Sequence, residues 1–197
     1  MIVFPLYANL ATEKQKQVFQ IPPENVRHCI IATNVAETSI TIPNVKYVID
    51  TGKVKQRLYD SHSSATTFDI CWCSKASAEQ RAGRSGRIGP GYCYRLYSSV
   101  VFQYDMPDFT KPDILRQPLE SVLLQMKCLG IAKVEDFPFP TSPSRDAIVN
   151  SENLLIAIGA LEKKEVIDTN TCAVPTKLGI EMGKLPISPR FSVMLLK

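Results

Sequence analysis

Short apolar segments alternate with polar, helix-forming stretches through the first half of this chain, and few folds accommodate that order. His28–Ala32, Val45–Ile49 and Tyr92–Leu96 have the composition of β-strands, whereas Ala11–Phe19 is a polar stretch of helical character. Parallel strands need a long crossover between them, and a helix is the usual crossover. The alternation therefore predicts an α/β protein with a doubly wound parallel sheet and helices on both faces.

The polar residues that follow the predicted strands indicate where a ligand would bind. In open α/β sheets, ligands lie beyond the carboxyl ends of the strands. These ends are Thr33–Asn34 and Asp50–Gly52. Further along, the polar segment Asp60–Ser64 divides the region Lys53–Trp72 into two strand-like runs, which predicts a β-hairpin with an exposed tip.

The chain changes character near Met106–Pro112, and we place a domain boundary there. Beyond it, Pro118 precedes a helix that Gly130 ends, and a Pro-rich loop leads to a second helix. The charged run Leu161–Glu165 is interpreted as a solvated helix end. Helices with one hairpin are typical of a winged-helix module, although a generic helical appendage fits nearly as well. The first helix has the apolar stripe Leu119, Val122, Leu123, Met126 and Leu129, and the hairpin is predicted at Val166–Asp168 and Ala173–Val174.

The composition excludes several other classes of protein. Of the 197 residues, 45% are hydrophobic and 21% are charged, so we expect a folded core rather than a disordered or fibrous chain. No run approaches the ~18 apolar residues of a membrane span, and we expect no membrane partner. The net charge of +4 is too small to indicate nucleic-acid binding by itself. The six cysteines lack zinc-ligand spacing, so we predict no metal site and interpret Cys71 and Cys73 as core residues.

The segment Ser77–Arg87 is the strongest candidate site in the sequence. Ser77, followed three residues later by Gln80, has the pattern of a capping box and predicts a helix start. On a continuing helix, Gln80, Arg84 and Arg87 would share one face. Two guanidinium groups and an amide on that face would suit a multiply charged anion, because arginine presents paired donors to phosphate oxygens.

A plainer interpretation of the same segment is an exposed basic helix end that forms surface salt bridges. Gly83 and Gly86 argue against it, because each destabilises a helix by roughly 1 kcal/mol relative to alanine. Glycines at this spacing indicate that a ligand must approach the backbone closely. We therefore favour the phosphate site.

A second candidate, Thr33–Thr41, follows the strand His28–Ala32, which is predicted to be buried, and is rich in hydroxyl groups. Hydroxyls and an amide at a strand's carboxyl end can bind phosphate or ribose oxygens without sequence preference. The same residues could equally cap the next helix. The sequence pattern alone favours neither of these two interpretations over the other.

Together these segments resemble the DEAH-box RNA helicases. Thr33–Thr41 (TNVAETSIT) is similar to their motif V, and Gln80–Arg87 (QRAGRSGR) is similar to their motif VI. The likeness extends through most of the chain. The segments PLYANL, YRLYSS and FPFP, at residues 5–10, 94–99 and 137–140, look most like the nucleolar branch that acts on small-subunit pre-ribosomes, with a spliceosomal relative as the alternative.

The resemblance implies a domain organisation. Residues 1–107 would form the second RecA-like domain, incomplete at its N-terminus, with a β-hairpin at 53–72. Residues 108–180 would form a winged-helix domain, and residues 181–197 would begin a C-terminal helical region. In this family ATP lies between two RecA-like domains, so the first such domain of the same chain is an expected partner.

The resemblance also implies roles for individual residues. Gln80 would orient the attacking water, and Arg84 and Arg87 would act as arginine fingers on the γ-phosphate. The expected RNA-binding residues are Thr33 and Asn34, on the backbone of single-stranded RNA without sequence preference. The expected ATP-binding residues are Phe19, which would stack on the adenine, Ser39, which would couple nucleotide state to RNA binding, and Thr41.

Two departures from the family pattern limit these expectations. After Thr41 many relatives have Ile-Asp, whose carboxylate faces the ribose, whereas this chain has Ile42-Pro43. The chain also has neither the G-x-x-x-x-G-K-[ST] loop nor Asp-Glu-x-His. We therefore expect an ATP-dependent RNA helicase only of the full-length protein, with Mg²⁺ held by its first RecA-like domain, and expect the present segment alone to be inactive.

The biological expectations follow from the same resemblance. They are a nuclear, nucleolar location, a role in pre-ribosomal RNA remodelling and a protein activator. The alternatives are a spliceosomal helicase and a non-catalytic RNA or protein docking module on a motor-like fold. A winged-helix DNA binder is disfavoured, because residues 113–197 lack a concentrated basic face.

Overall fold

A computed structural model describes residues 1–60, 65–87, 89–165 and 171–197. The chain forms two compact units, one of residues 1–56 with 68–110 and the other of residues 57–67 with 111–197. Helices and strands alternate in the first unit, and two of its strand pairs are parallel. The prediction of an α/β protein is confirmed.

Parallel strand pairs form the frame of the first unit. β1 (Ile2–Leu6) pairs with β2 (His28–Ala32), and β3 (Tyr47–Asp50) pairs with β6 (Tyr92–Arg95). The registers place Leu6 opposite Ala32 and Asp50 opposite Arg95. Each pair therefore brings two carboxyl ends together, as the sequence pattern predicted.

Two helices of the first unit follow these strand ends, and a third precedes β6. α1 (Thr12–Gln17) lies after β1, α2 (Val35–Thr38) lies after β2, and α3 (Lys75–Ala82) precedes β6. A π-helical turn at Val101–Asp105 follows β6. The α2 helix is only one turn long, so the positions of the hydroxyl groups around it depend on contacts with other elements.

The predicted burial of β2 is wrong in part. Its residues His28 to Ile30 are half-buried, but the Ile31 side chain is 65% exposed. The exposed residues are the last two of the strand, Ile31 and Ala32, and not every second residue. Burial of β2 therefore ends toward its carboxyl end, next to the candidate segment Thr33–Thr41.

The predicted hairpin is present as β4 (Lys53–Asp60) and β5 (Ala65–Trp72), which pair with each other. Of its expected tip, Asp60–Ser64, Asp60 ends β4 and residues 61–64 lie outside the described residues. At the base, the Lys53 ammonium lies 3.1 Å from the centre of the Trp72 ring. Cys73, just after β5, is 2% exposed, as expected of a core residue, whereas Cys71 is half-buried with its Sγ 3.2 Å from Oε1 of Gln56.

Residues 111–165 and 171–197 of the second unit are mostly helical and contain a two-stranded hairpin. The antiparallel pair places Leu161 opposite Pro175. None of the helices within the described ranges is long and apolar enough to cross a membrane. The elements are a 3₁₀ turn (Asp113–Leu115), α4 (Glu120–Cys128), α5 (Arg145–Ala157), β7 (Leu161–Glu165), β8 (Thr171–Pro175), α6 (Lys177–Gly183) and α7 (Pro189–Leu196).

The interpretation of Leu161–Glu165 as a helix end is wrong, because this run is strand β7. Helix α5 ends at Ala157, and Gly159 has a φ of +81°, which an L-residue with a side chain rarely adopts. The chain then turns and pairs with β8. The predicted first strand of the hairpin, Val166–Asp168, lies outside the described residues.

The core of the second unit contains part of the predicted apolar stripe. Leu119, Leu123 and Met126 are buried, whereas Val122 is 41% exposed and Leu129 is 80% exposed. The buried face of α4 is therefore narrower than the predicted apolar stripe. Gly130, with a φ of +86°, follows the helix as predicted. The buried cluster also contains Leu124, Val134, Ile148, Leu155, Ala160, Leu161, Ala173 and Met182.

Candidate functional site

Helix α3 carries the first part of the candidate site, and it begins earlier than the sequence indicated. Ser74 is its N-cap, and the Ser74 hydroxyl accepts a hydrogen bond from the backbone N–H of Ser77 at 3.1 Å. The prediction that Ser77 caps the helix is therefore wrong. Gln80 lies in the second turn rather than the first, and its side chain is exposed.

The predicted helical face of Gln80, Arg84 and Arg87 is also wrong, because α3 ends at Ala82. Beyond it, the N–H of Arg84 bonds to the carbonyl of Arg81, a span of three residues that tightens the chain into turns. The glycines of this segment disfavour helix continuation. The two arginines therefore project from a turn, and their positions depend on what they contact.

Both arginines contact the segment around α2. Nη2 of Arg84 donates a hydrogen bond to the main-chain carbonyl of Glu37, and Nη1 of Arg87 donates to the hydroxyl of Thr41. Burial, and then the neighbouring charge of Arg87, lower the pKa of Arg84. The two candidate segments that the sequence singled out therefore meet, with two guanidinium groups close enough to repel each other.

Neither Arg84 nor Arg87 forms an ion pair with a carboxylate in the part of the chain that the structure describes. Nη1 of Arg84 is in addition buried without a hydrogen-bond partner among the described residues. A buried donor without an acceptor costs about 1–3 kcal/mol, and more when it is charged. The pair thus retains the donors and the positive charge that an anion would use.

Arg81, one turn before Arg84, is in the opposite situation. Its Nε donates to Oε2 of Glu37 at 2.9 Å, and its Nη1 donates to Oδ1 of Asp50 at 2.9 Å. The exposed fractions of the Arg81, Glu37 and Asp50 side chains are 15%, 11% and 1%. Although burial alone would lower it, these hydrogen bonds raise the pKa of Arg81. This arginine is internally neutralised and is a structural residue.

The ligand position expected at Asp50–Gly52 is filled by internal contacts of Asp50. Besides Arg81, the Asp50 carboxylate accepts hydrogen bonds from the N–H of Gly52 at 3.0 Å and from the hydroxyl of Tyr97 at 2.9 Å. Burial, and then the hydrogen bond to Asp50, raise the pKa of Tyr97. Asp50 therefore joins the end of β3 to α3 and to the segment after β6, and at 3% exposure it is too buried to meet a ligand.

Sequence reasoning missed the contacts of Glu37, Asp50 and Arg81. The sequence carried only a weak signal for Arg81, the apolar Ala78 three positions earlier on the same helical face. That Ala78 is fully buried is known from the structure alone. An arginine on the buried face of a helix needs carboxylate partners. Which carboxylates these are could not be read from the helix itself.

The remaining candidate residues are accessible, and the structure brings only some of them together. Thr33 and Asn34 are exposed at the start of α2, and Ser39 is exposed at its end, with its Oγ 3.4 Å from that of Thr38. Phe19 follows α1 and is 40% exposed. Among the described contacts, none joins Gln80 or Phe19 to the two arginines.

The site suits anion binding rather than metal binding. Within the described ranges, no group of three or more His, Cys, Asp or Glu residues could hold a metal ion. The available donors are two guanidinium groups without acidic partners and several exposed hydroxyl groups, which match phosphate oxygens in charge and in hydrogen-bonding capacity.

Comparison with known proteins identifies the class to which this site belongs. Residues 1–89 match the family model described as the helicase conserved C-terminal domain. The match covers β1 to β5, α1 to α3 and both candidate segments of the RecA-like fold.

Individual relatives match over nearly the whole chain. The chain is 52% identical to "Probable ATP-dependent RNA helicase DHR1" of Saccharomyces cerevisiae over 196 residues, which is 100% of this chain and 15% of that protein. It is 52% identical to "Probable ATP-dependent RNA helicase DHX37" of Homo sapiens over 200 residues, 98% of this chain and 17% of that protein. It is 41% identical to "ATP-dependent DNA/RNA helicase DHX36" of Bos taurus, over 99% of this chain and 19% of that protein.

The chain belongs to the DEAH-box RNA helicase family, as motifs V and VI predicted. It spans about one sixth of the length of the first two of these relatives.

Proposed function

We propose that this chain supplies one side of the ATP site of an ATP-dependent RNA helicase. Arg84 and Arg87 act as arginine fingers on the γ-phosphate, and Gln80 orients the attacking water. The ATP-bound Mg²⁺ and the phosphate-binding loop belong to a first RecA-like domain of the longer protein. In this arrangement the segment alone does not hydrolyse ATP, because the phosphate-binding loop and the metal-binding acid are absent from it.

The observation that carries this proposal is the contrast among neighbouring arginines. Arg81 is paired with two carboxylates, whereas Arg84 and Arg87 have none among the described residues. A structural arginine is neutralised, and an arginine that must meet an incoming phosphate is not. Positioned cations of this kind accelerate phosphoryl transfer because the transition state spreads charge over the phosphate oxygens.

The other predicted residues complete the proposal. Phe19 stacks on the adenine, Ser39 couples the nucleotide state to RNA binding, and Thr41 binds ATP. Thr33 and Asn34 bind the backbone of single-stranded RNA. Their exposure supports these roles, since each can reach a ligand without rearrangement of the core.

We further propose the domain limits 1–107, 108–180 and 181–197 for the RecA-like domain, a winged-helix domain and the start of a helical region. The first unit of the structure extends to residue 110, close to the first limit. The helices and the β7–β8 hairpin of the second unit support a winged helix.

The proposed biological role is the remodelling of pre-ribosomal RNA in the nucleolus, with a protein activator. Support comes from the segments that resemble the nucleolar branch and from the order of the identities. These are 52% to the DHR1 and DHX37 helicases but 41% to DHX36. A spliceosomal function is the alternative.

Replacing Arg87 by alanine in the full-length protein tests the proposed ATP site. We expect the RNA-stimulated kcat for ATP to fall about 30-fold, since losing one charge-assisted contact to the transition state costs about 2 kcal/mol. RNA affinity should change less than threefold. Arg27→Ala is the matched control, because Arg27 is an exposed arginine at the opposite, amino end of β2. Wild-type turnover in Arg87→Ala would favour the docking module.

Replacing Phe19 by alanine tests the adenine contact. We expect the KM for ATP to rise about tenfold, with kcat changed less than threefold, because stacking of a base on an aromatic ring contributes about 1–3 kcal/mol to binding. Phe109, which is 78% exposed elsewhere in the first unit, provides the control variant Phe109→Ala. An unchanged KM in Phe19→Ala would contradict the assignment.

A further inference from the structure

Glu37 is held at two separate points by two different arginines. Its carboxylate accepts a hydrogen bond from Nε of Arg81 at 2.9 Å, and its main-chain carbonyl accepts one from Nη2 of Arg84. Glu37 lies in the single-turn helix α2, which is too short to hold its own conformation. The orientation of the Glu37 carbonyl therefore depends on the side-chain contact with Arg81.

Arg81 is in turn fixed to the sheet. Its Nη1 bonds to Asp50 at 2.9 Å and to the carbonyl of Lys53 at 3.2 Å. Asp50 is 3% exposed at the end of β3, where the hydroxyl of Tyr97 also binds its carboxylate. A rigid strand end thus holds the guanidinium that holds Glu37.

An exposed ion pair on the same helix provides the comparison. Glu79 of α3 pairs with Arg95 at 2.6 Å, but their side chains are 62% and 30% exposed. Exposed pairs contribute little, because solvent screens them and both side chains lose freedom. The Arg81–Glu37 pair, at 15% and 11% exposure, has the geometry of a fixed contact.

We propose that Glu37 is a positioning residue for ATP hydrolysis. Its main-chain carbonyl orients the Arg84 guanidinium toward the γ-phosphate, while its carboxylate is held by Arg81, which Asp50 anchors in turn. This inference rests on the proposed role of Arg84. In this role Glu37 acts through Arg84 and not on the nucleotide itself. The main-chain carbonyl of Glu37 holds Nη2 of Arg84. Nη1 of Arg84 has no partner among the described residues and is left to bind the phosphate.

The test uses Glu37→Gln in the full-length protein, which keeps the size of the side chain and removes its charge. We expect the RNA-stimulated kcat to fall about tenfold, while the KM for ATP and the RNA affinity change less than threefold, because a small misplacement of a charged group lowers the rate without abolishing binding. Glu37→Asp should recover part of kcat. Glu79→Gln, the matched control on α3, should keep the wild-type kcat.

Arg84→Lys separates positioning from a merely structural effect. A lysine ammonium cannot hold the Glu37 carbonyl and a phosphate oxygen with separate planar nitrogens. In the Arg84→Lys background, adding Glu37→Gln should lower kcat by less than a further factor of three. The reason is that the Arg84 guanidinium, through which Glu37 acts, has already been removed. If Glu37→Gln lowered kcat tenfold both in the wild-type protein and in the Arg84→Lys variant, the inference would be overturned.

The remaining outcomes are also decisive. Wild-type kcat in Glu37→Gln together with lost turnover in Arg84→Lys would overturn the positioning role alone. Wild-type turnover in Arg84→Lys and in Arg84→Ala would overturn the proposed ATP site, and this inference with it. If Glu37→Gln does not fold, as judged by thermal unfolding of the full-length protein, Arg81→Lys takes its place, with the same expected loss of kcat.

Discussion

Alanine at position 84 of the full-length protein is expected to lower RNA-stimulated ATP turnover by about 10³-fold, the lower end of what arginine fingers contribute in phosphoryl transfer. The effect should exceed that of Arg87→Ala for a structural reason. Arg84 is half-buried whereas Arg87 is exposed, and a charge acts more strongly where less water screens it. Steady-state hydrolysis with and without single-stranded RNA measures the change.

The control for this prediction is RNA binding itself. Because Arg84 is assigned to ATP and not to RNA, the affinity for single-stranded RNA in the absence of nucleotide should stay within about threefold of the wild type. Arg27→Ala should leave both properties unchanged. Turnover in Arg84→Ala within tenfold of the wild type would contradict the arginine-finger assignment.

Alanine at Gly179 is expected to destabilise the second unit by about 3 kcal/mol or more. Gly179 lies in α6 against the start of β7, and an added Cβ would overlap the carbonyl oxygen of Ala160 and lie 2.9 Å from its carbonyl carbon. That carbonyl also accepts the N–H of Thr176 at 3.0 Å, so the backbone cannot move away without losing a hydrogen bond. Amide hydrogen exchange across α4 and α5 should accelerate at least about 100-fold.

Gly183 provides a matched control in the same helix. A Cβ at this position would lie 3.4 Å from Sγ of Cys128, an ordinary van der Waals distance. Since alanine favours helix over glycine by about 1 kcal/mol, Gly183→Ala should leave exchange unchanged or slow it slightly. Equal exchange rates in the two variants would show that the Ala160 contact does not restrict position 179.

Local patterns in the sequence were sufficient to predict several elements. The apolar run His28–Ala32 is strand β2 with the predicted ends, and Gly130 ends the stretch that contains α4. Strand composition and a residue with positive φ act over a few neighbouring positions, so a single sequence carries them. The parallel α/β arrangement followed from the same local alternation.

Elements that depend on distant partners were not predictable in this way. Leu161–Glu165 is charged like a solvated helix end, yet it is a strand because β8 supplies the hydrogen bonds of its ladder. Helix α3 stops before Arg84, so the shared helical face of Gln80, Arg84 and Arg87 does not form. In both cases the predicted helix continued beyond the residue at which the chain turns, which is Ala157 for α5 and Ala82 for α3.

The sequence by itself determined the family, the α/β class and the segments that carry the candidate site, because residue types and spacings within a motif are local. Only the tertiary structure decided which arginine is neutralised. Arg81 meets Glu37 and Asp50, which lie 44 and 31 positions earlier in the chain. Ion pairs at such separations exist only once the strands and helices have packed, since the Coulomb energy depends on distance through space and on the exclusion of water.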